Sequence, residues 1–246
     1  APMYNGFYTS RRNDMTVTAN FVDLLKGQAD TLNGKPHPLG GMVDPRLTIW
    51  VPKRGGVYRG MPYGLVDKDA SNLRGVTANL YGAYNIVLSG SFAPIYMDYA
   101  EVCFILSELN GWDADWYSRG VRASMEWWGN EAKSFYGWSD SDFSDYITTV
   151  DDYMANLPPA NQETVLTHKY IALYMNGYEA WAEYRRTGYP KTLILPGEKT
   201  GPTISGEVVT FTPIVGDIIP RRLTYPVQEY TINSANVSAA AANIGG

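Results

Sequence analysis

Few residues of this chain are of the types that carry out catalysis or bind metals. Among 246 residues there is one cysteine, Cys103, and two histidines, His37 and His168, which lie far apart in the sequence. The segment around Cys103, YMDYAEVCFILSEL, is largely apolar, which favours a buried cysteine over a reactive thiol. The sequence has no phosphate-binding loop, dinucleotide-binding glycine motif, zinc-protease motif or serine-hydrolase elbow. We therefore expect no enzymatic activity, no cofactor and no metal.

Acidic residues are the remaining candidates for chemistry. Asp140, Asp142 and Asp145 in SDSDFSD suggest a calcium loop by their spacing, but the mid-loop glycine and the closing glutamate that such a loop requires are missing. Carboxylates at the start of a helix are the simpler interpretation. A pair of carboxylates that meet only in space, as in a glycosidase, is left open because such a pair has no fixed sequence spacing.

Aromatic side chains are abundant, with 19 tyrosines and 7 tryptophans. Rings of this kind can contact sugars or peptides, although rings at the edge of a core give the same composition. The segment KRGGVYRGMPYGL has four glycines and a proline between Gly55 and Gly64, so it is predicted to be a surface loop. Loop rings are the predicted ligand contacts, with packing against the protein body as the alternative: Tyr58, Tyr63, Tyr136 and Trp138.

Charged residues on apolar helical faces are a second feature. Glu101 has Phe104 and Ile105 as helical neighbours, and an unpaired carboxylate among apolar groups is costly to bury. Arg185 and Arg186 end the segment VLTHKYIALYMNGYEAWAEYRRTGYP and point about 100° apart in a helix. Glu101 is therefore predicted to be a structural carboxylate paired with an arginine, with a catalytic acid as the alternative. The candidate partners are Arg185, Arg186, Arg221 and Arg222.

Four helices are predicted to form the middle of the chain, about 93–188. Apolar residues at helical spacing, bounded by proline and glycine, define them as Ile95–Leu109, about Asp113–Trp128, Phe143–Leu157 and Val165–Pro190. The first two form an antiparallel hairpin through Asn110-Gly111. Only Gly177 interrupts the last one. One face of this last helix is expected to lie against a core: Ile171, Tyr174, Met175, Tyr178, Trp181 and Ala182.

The flanks of the helical region, 1–92 and 189–246, are predicted to be rich in loops. Thr48–Val51 is predicted to be a short strand or an extended segment, and Val208, Val209 and Phe211 suggest a brief strand pair. Prolines and small residues near the end argue against further long helices. The fold class is therefore mainly α, with long irregular loops and little β.

Overall charge and hydropathy exclude two classes of partner. The formal net charge is −5, from 20 basic and 25 acidic residues, so the chain offers no basic field to nucleic acid. The sequence contains no run of about 18 apolar residues and no signal-peptide pattern at its start, so we expect it neither to span a membrane nor to carry its own export signal.

Three segments together resemble the SusD/RagB family of Bacteroidetes surface lipoproteins, in its divergent SusD-like branch: PIYMDYAEVCFILSELNGW, HKYIALYMNGYEAWAEYRRTGYP and IPRRLTYPVQEYTIN. The resemblance implies a tetratricopeptide-related helical fold. It also implies a lid partner of a SusC-like TonB-dependent outer-membrane transporter that binds oligosaccharides or peptides without acting on them. Family members are held at the cell surface by a lipid anchor and start with further helices, and we expect this chain to contain neither. We therefore expect 1–246 to be a single domain, the C-terminal portion of a longer chain.

The resemblance also carries over a set of charged residues. We expect them to form a structural ion-pair network that holds the helices to the C-terminal loop: Glu101, Glu179, Arg185, Arg186, Arg221, Arg222 and Glu229. On this hypothesis, Glu101→Ala destabilises the protein by several kcal/mol, because a buried partner loses its counter-charge. A glycan-processing hydrolase and a purely structural helical scaffold are the alternative functions.

Overall fold

Helices make up most of the computed structural model, as the sequence predicts. The structure describes residues 4–10, 12, 14–80, 85–213 and 225–243. The chain divides into two units, Ala1–Ile214 and Val215–Gly246, and each is described by itself. The prediction of one domain over 1–246 stays a prediction.

The first part of unit one contains three short helices among loops. They are α1 (Ala19–Leu25), α2 (Leu47–Trp50) and α3 (Asp67–Leu73), together with a π-helical turn at Tyr4–Thr9 and a 3-10 turn at Ile86–Leu88. The prediction of a strand or extended segment is wrong for Thr48–Trp50, which lie in α2, whereas Val51 after the helix is extended.

A buried ion pair explains why this segment is helical. The Arg46 guanidinium binds the Asp44 carboxylate at 2.6 Å and donates to Ser124 Oγ at 2.7 Å. The Arg46 carbonyl accepts hydrogen bonds from the backbone N–H groups of Ile49 and Trp50. This buried pair fixes the first turn of α2, and tertiary contacts therefore outweigh the strand preference of the sequence TIWV.

A helical hairpin forms the centre of unit one. Helix α4 (Tyr99–Leu109) is capped by the Asp98 side chain, and α5 (Ala114–Tyr136) is capped by Asp113 and ends at Gly137 in the left-handed region. A Cβ at Gly120 would lie 3.1 Å from Cys103 and Phe104 on α4, so glycine permits the close approach of the two helices.

Two further helices pack against this hairpin. Helices α6 (Asp140–Ala155) and α7 (Gln162–Ala172) both start with capping boxes, formed by Ser139 and Asn161. The carboxylates predicted at a helix start do lie there, because Asp140 and Asp142 occupy the first turn of α6.

The segment predicted as one helix over Val165–Pro190 is two helices. After α7 the chain turns at Met175, whose φ of 71° is left-handed, and α8 (Gly177–Thr187) begins in a new direction. Consequently the predicted apolar face is split. Ile171 is buried, whereas Tyr178 is 96% exposed and Trp181 is 43% exposed, so the expectation that the whole face lies against a core is wrong.

The remaining elements are a hairpin and two helices. Strands β1 (Lys199–Pro202) and β2 (Val208–Thr210) pair antiparallel, which confirms the predicted strand pair. Unit two contains α9 (Val227–Ile232) and α10 (Ser234–Asn243). The latter has ten residues, although the sequence argued against further long helices.

The core of unit one combines stacked rings with a buried histidine. Trp50 stacks on Tyr174 at 4.3 Å and meets Trp128 edge-on at 5.1 Å. His168 lies between two tyrosines, with Nδ1 and Nε2 each 2.9 Å from the hydroxyl of Tyr117 and Tyr153. Burial lowers the pKa of His168 to about 3, so the ring is neutral.

A candidate ligand-binding cavity

A cavity of about 560 Å³ lies in unit one beside α1. Its walls come from α1, the loop that follows it, the glycine-rich loop predicted to be at the surface, and the β1–β2 hairpin. The volume is within the range of about 300–1,000 Å³ found for small-molecule sites. Sequence segments that are far apart therefore form one concave surface.

Two of the four predicted ligand rings, Tyr58 and Tyr63, line this cavity. The Lys53 ammonium lies 4.8 Å from the centre of the Tyr58 ring. The Phe211 ring lies 4.8 Å from the Tyr63 ring. Each tyrosine contributes an aromatic ring and a hydroxyl group to the same cavity.

Two glycines allow the loop that contains Tyr58 and Tyr63 to pack closely against neighbouring elements. A Cβ on Gly60 would lie 2.4 Å from the Thr18 carbonyl oxygen and from the Cα of Ala19, which are backbone atoms. A Cβ on Gly64, which has a φ of 73°, would lie 2.3 Å from the Phe211 ring. Only glycine lets the loop lie this close to α1 and to the hairpin.

The polar lining of the cavity includes a carboxylate with an altered pKa. Burial raises the pKa of Asp23 above its ordinary range, against the opposing charge of Lys26 at 3.8 Å. The nearby Asp30 carboxylate accepts hydrogen bonds from the backbone and side chain of Asn33 at 3.2 and 2.8 Å. The cations Arg59 and Lys199 also line the cavity, and the neutral donors and acceptors of the lining are Asn20, Gln28, Thr31, Thr77, Thr192, Thr200 and Thr203.

Two contacts fasten the hairpin wall to the loop after α1. Lys35 Nζ binds the Glu198 carboxylate at 2.5 Å and the Leu193 carbonyl at 2.8 Å. Asn33 exchanges two hydrogen bonds of 2.8 Å with the backbone of Lys199. These contacts hold the hairpin as a fixed wall of the cavity.

An ion-pair network lies on α4, α7 and α8, outside the cavity. Arg186 binds Glu108 through two hydrogen bonds of 2.7 Å, and it also binds Glu183. Glu183 in turn pairs with Lys169 at 2.9 Å. Burial alone would raise the pKa of Glu183, but the hydrogen bonds from Arg186 and Lys169 outweigh it and hold the pKa below its ordinary value.

Glu101 lies near this network without joining it. The residue is 4% exposed, and its side chain makes no hydrogen bond or ion pair with any residue that the structure describes. Burial raises its pKa, the charge of Lys169 opposes this effect, and Glu179 adds to it. Among the described residues, the cation that acts on Glu101 is therefore Lys169.

The described residues contain neither a cluster of metal-binding side chains nor a helix able to span a membrane. Within 4–10, 12, 14–80, 85–213 and 225–243, no three histidine, cysteine, aspartate or glutamate side chains are grouped to hold a metal ion. None of the helices in these ranges has both the length and the apolar character needed to cross a bilayer.

Comparison with known proteins identifies the family. The sequence matches the model of the SusD-like_2 family, described as "Starch-binding associating with outer membrane", over residues 1–226. The chain belongs to this family. No curated protein is significantly similar to it.

One of two similar solved structures supports the fold of this chain. A chitin-binding protein matches 99% of this chain and 50% of its own, with a TM-score of 0.63 and 22% identity. A protein described as Bacteroidetes AC2a SusD-like matches 65% of this chain and 30% of its own, with a TM-score of 0.42 and 29% identity. The chain therefore spans half or less of the length of these two structures.

The other two predicted ligand rings of the SusD-like_2 protein do not line the cavity. Tyr136 donates a hydrogen bond to the Ile49 carbonyl at 3.2 Å and packs against the core. Trp138 packs against the core beside Tyr146, with ring centres 5.6 Å apart. Tyr58 also packs against the core, so the difference is that Tyr58 and Tyr63 line the cavity and these two rings do not.

The predicted charged residues are also distributed differently from the expectation. Arg186 pairs with Glu108 and Glu183 rather than with Glu101, and Arg185 is exposed and makes no ion pair among the described residues. Glu229 accepts a hydrogen bond from Asn233 within unit two. Arg221 and Arg222 lie outside the described residues, so the full network stays a prediction.

Sequence reasoning missed one residue of the ion-pair network and two residues that contact the cavity tyrosines. Lys169 lies within the segment chosen for its apolar face, and nothing in that pattern marks a cation as buried. Lys53 and Phe211 flank or follow glycine-rich and proline-rich stretches, and only the tertiary structure brings them to the two tyrosines. Spacing of three or four positions could have found three of the ion pairs: Asp23–Lys26, Arg122–Glu126 and Glu183–Arg186.

Proposed function

We propose that this protein binds oligosaccharides at the outer surface of the outer membrane and holds them for a SusC-like TonB-dependent transporter. The observation that carries the proposal is the cavity, in which Tyr58 and Tyr63 stand beside a lining rich in hydrogen-bonding groups. It is joined by the description of the family as starch-binding and associated with the outer membrane.

The chemistry of the cavity suits a sugar. A pyranose ring has an apolar face of C–H groups and a rim of hydroxyl groups. The tyrosine rings offer flat surfaces to the first, and threonine hydroxyls, amides and the Asp23 carboxylate offer partners to the second. Since each ring contact contributes only about 0.5–1.5 kcal/mol, we expect micromolar or weaker affinity.

Starch and chitin fragments are the first ligands to test. The family description names starch, and the matched solved structure is a chitin-binding protein. Isothermal titration calorimetry with maltohexaose, chitohexaose and a mixed hexapeptide separates oligosaccharide from peptide ligands. We expect heat of binding with at least one of the two sugars and none with the peptide.

Three tyrosine variants test where the ligand binds. Tyr58→Ala and Tyr63→Ala should each weaken sugar binding by about two- to tenfold, the loss of one ring contact. Tyr178→Ala removes a tyrosine that is 96% exposed on α8, away from the cavity lining, and serves as the matched control. Equal affinity of all three variants and the wild type would contradict a site in this cavity.

A glycan hydrolase is the second candidate, because Asp23 and Asp30 both line the cavity and the pKa of Asp23 is raised. That is one property of a general acid. The binding function is better supported, since Lys26 lies 3.8 Å from Asp23 and Asn33 already occupies the Asp30 carboxylate. Release of shorter sugars from maltohexaose or chitohexaose, abolished in Asp23→Asn, would reverse this choice.

The transporter partnership has its own test. We propose that the protein acts as a lid on a SusC-like transporter and carries out no reaction itself. Gel filtration of the protein mixed with a purified SusC-like transporter in detergent should give a complex. Separate elution of the two proteins at micromolar concentrations would contradict the lid role and would not affect the proposal of sugar binding.

A further inference from the structure

Each ring of the proposed sugar site is supported by a residue that does not itself line the cavity. Lys53 lies 4.8 Å from the Tyr58 ring centre, and Phe211 lies 4.8 Å from the Tyr63 ring centre. Tyr58 and Tyr63 are lining residues, whereas Lys53 and Phe211 are not. Each supporting residue therefore contacts its ring from outside the cavity.

The position of Phe211 is fixed by the base of the hairpin. Its backbone N–H donates to the Glu198 carbonyl at 2.8 Å, and its carbonyl accepts from the Gly197 N–H at 2.9 Å. The Glu198 carboxylate is itself held by Lys35 and by the Leu195 N–H, at 2.5 and 2.8 Å. A continuous set of contacts thus runs from the loop after α1 to the Tyr63 ring.

We propose that Lys53 and Phe211 are positioning residues, which hold Tyr58 and Tyr63 in the orientation that an oligosaccharide contacts. This inference rests on the proposed function and adds the residues that make the site preformed. Tyr63 is 47% exposed and sits in a loop rich in glycine, so neither backbone nor burial immobilises its ring. The Phe211 contact supplies that order for Tyr63, and the Lys53 contact adds to the core packing that already restricts Tyr58.

The expected effect follows from the cost of ordering a side chain. A ring that moves freely before binding must be immobilised when the sugar stacks on it, and this lowers affinity by about two- to tenfold per ring. A cation over the face of a ring and a second ring at 4.8 Å both restrict such motion.

Matched variants separate positioning from general stability. Lys53→Met removes the charge and keeps the length, whereas Lys53→Arg keeps the cation. Phe211→Leu removes the ring, whereas Phe211→Tyr keeps it. Lys68→Met removes an exposed lysine of α3 that does not line the cavity. We expect weaker sugar binding by about two- to tenfold in Lys53→Met and Phe211→Leu only, with the same Tm for Lys53→Met and Lys68→Met.

Fluorine NMR of protein labelled with fluorotyrosine measures the mobility of the tyrosine rings in the absence of ligand. Lys53→Met should shift and sharpen the Tyr58 resonance alone, and Phe211→Leu the Tyr63 resonance alone. Unchanged resonances in both variants would overturn the inference.

Failure of the proposed sugar site and failure of the positioning role give different experimental results. If Tyr58→Ala and Tyr63→Ala do not weaken sugar binding, the proposed site fails. If they do weaken it while Lys53→Met and Phe211→Leu bind as the wild type does, the site stands and the positioning role is refuted.

Discussion

Removal of the Glu183 carboxylate is the sharpest test of how the helices are held together. Glu183 binds Lys169 at 2.9 Å and Arg186 at 2.9 Å. The Lys169 side chain is only 4% exposed, and that of Glu183 is 15% exposed. In Glu183→Gln the shape is kept, but a buried ammonium loses its paired carboxylate. We therefore expect a large loss of stability from the replacement of one heavy atom.

The magnitude can be worked from the geometry. Two unit charges 2.9 Å apart attract by about 6 kcal/mol at an effective dielectric constant of about 20. Glutamine still accepts a hydrogen bond, and the nearby Glu101 carboxylate partly replaces the lost charge. We expect the free energy of unfolding to fall by about 3 kcal/mol, the lower end of the range for a broken buried pair.

Urea unfolding at pH 7, followed by circular dichroism, measures this loss. Glu126→Gln is the matched control, because Glu126 also pairs with an arginine, Arg122, but both side chains are about 40% exposed. A loss of no more than about 1 kcal/mol is expected there. Equal losses in the two variants, both below about 1 kcal/mol, would refute the argument that burial makes the Lys169–Glu183 pair important.

Three further outcomes follow from the same structure. Glu101→Gln should lower the free energy of unfolding at pH 7 by less than about 1 kcal/mol, or raise it, because burial raises the pKa of Glu101 and no pairing in the described chain is lost; a loss above about 3 kcal/mol would restore the predicted arginine partner. The pKa of His168 falls from about 6.5 unfolded to about 3 folded, so stability is full above pH 6.5 and is lost on acidification. The loss is about 2 kcal/mol by pH 5, measured by urea unfolding at both pH values, and it should be smaller in His168→Gln. Gly60→Ala should cost about 1–3 kcal/mol because its Cβ meets the Thr18 backbone, whereas Gly75→Ala, with open space around it, should melt within about 2 °C of the wild type.

The outcome for Glu101 shows where sequence reasoning about charge stops. A carboxylate on an apolar helical face correctly indicated a buried acid, because helical spacing fixes its neighbours on the same helix. Any cation near such an acid comes from another helix, and nothing in the spacing of Arg185 and Arg186 distinguishes them from Lys169. In the structure, Arg186 and Lys169 both form ion pairs with Glu183.

The division of Val165–Pro190 has a similar cause. Gly177 was visible as a weak point in the sequence, but helix propensity alone permits one long helix across it. The break at Met175 needs a left-handed backbone conformation in a non-glycine residue, which local propensity disfavours. Packing of Tyr174 on Trp50 in the core is the contact next to this turn.

The sequence by itself determined the helical fold class, a few helix ends such as the end of α4 and the start of α5, and the family, because caps, breakers and periodicity act between residues a few positions apart. It also placed Tyr58 and Tyr63 on a surface loop. Only the tertiary structure decided that these rings share a cavity, that Tyr136 and Trp138 do not, and which ions pair. The reason is distance along the chain: the Lys35–Glu198 contact that fixes one cavity wall joins residues 163 positions apart, and such contacts are set by packing in three dimensions.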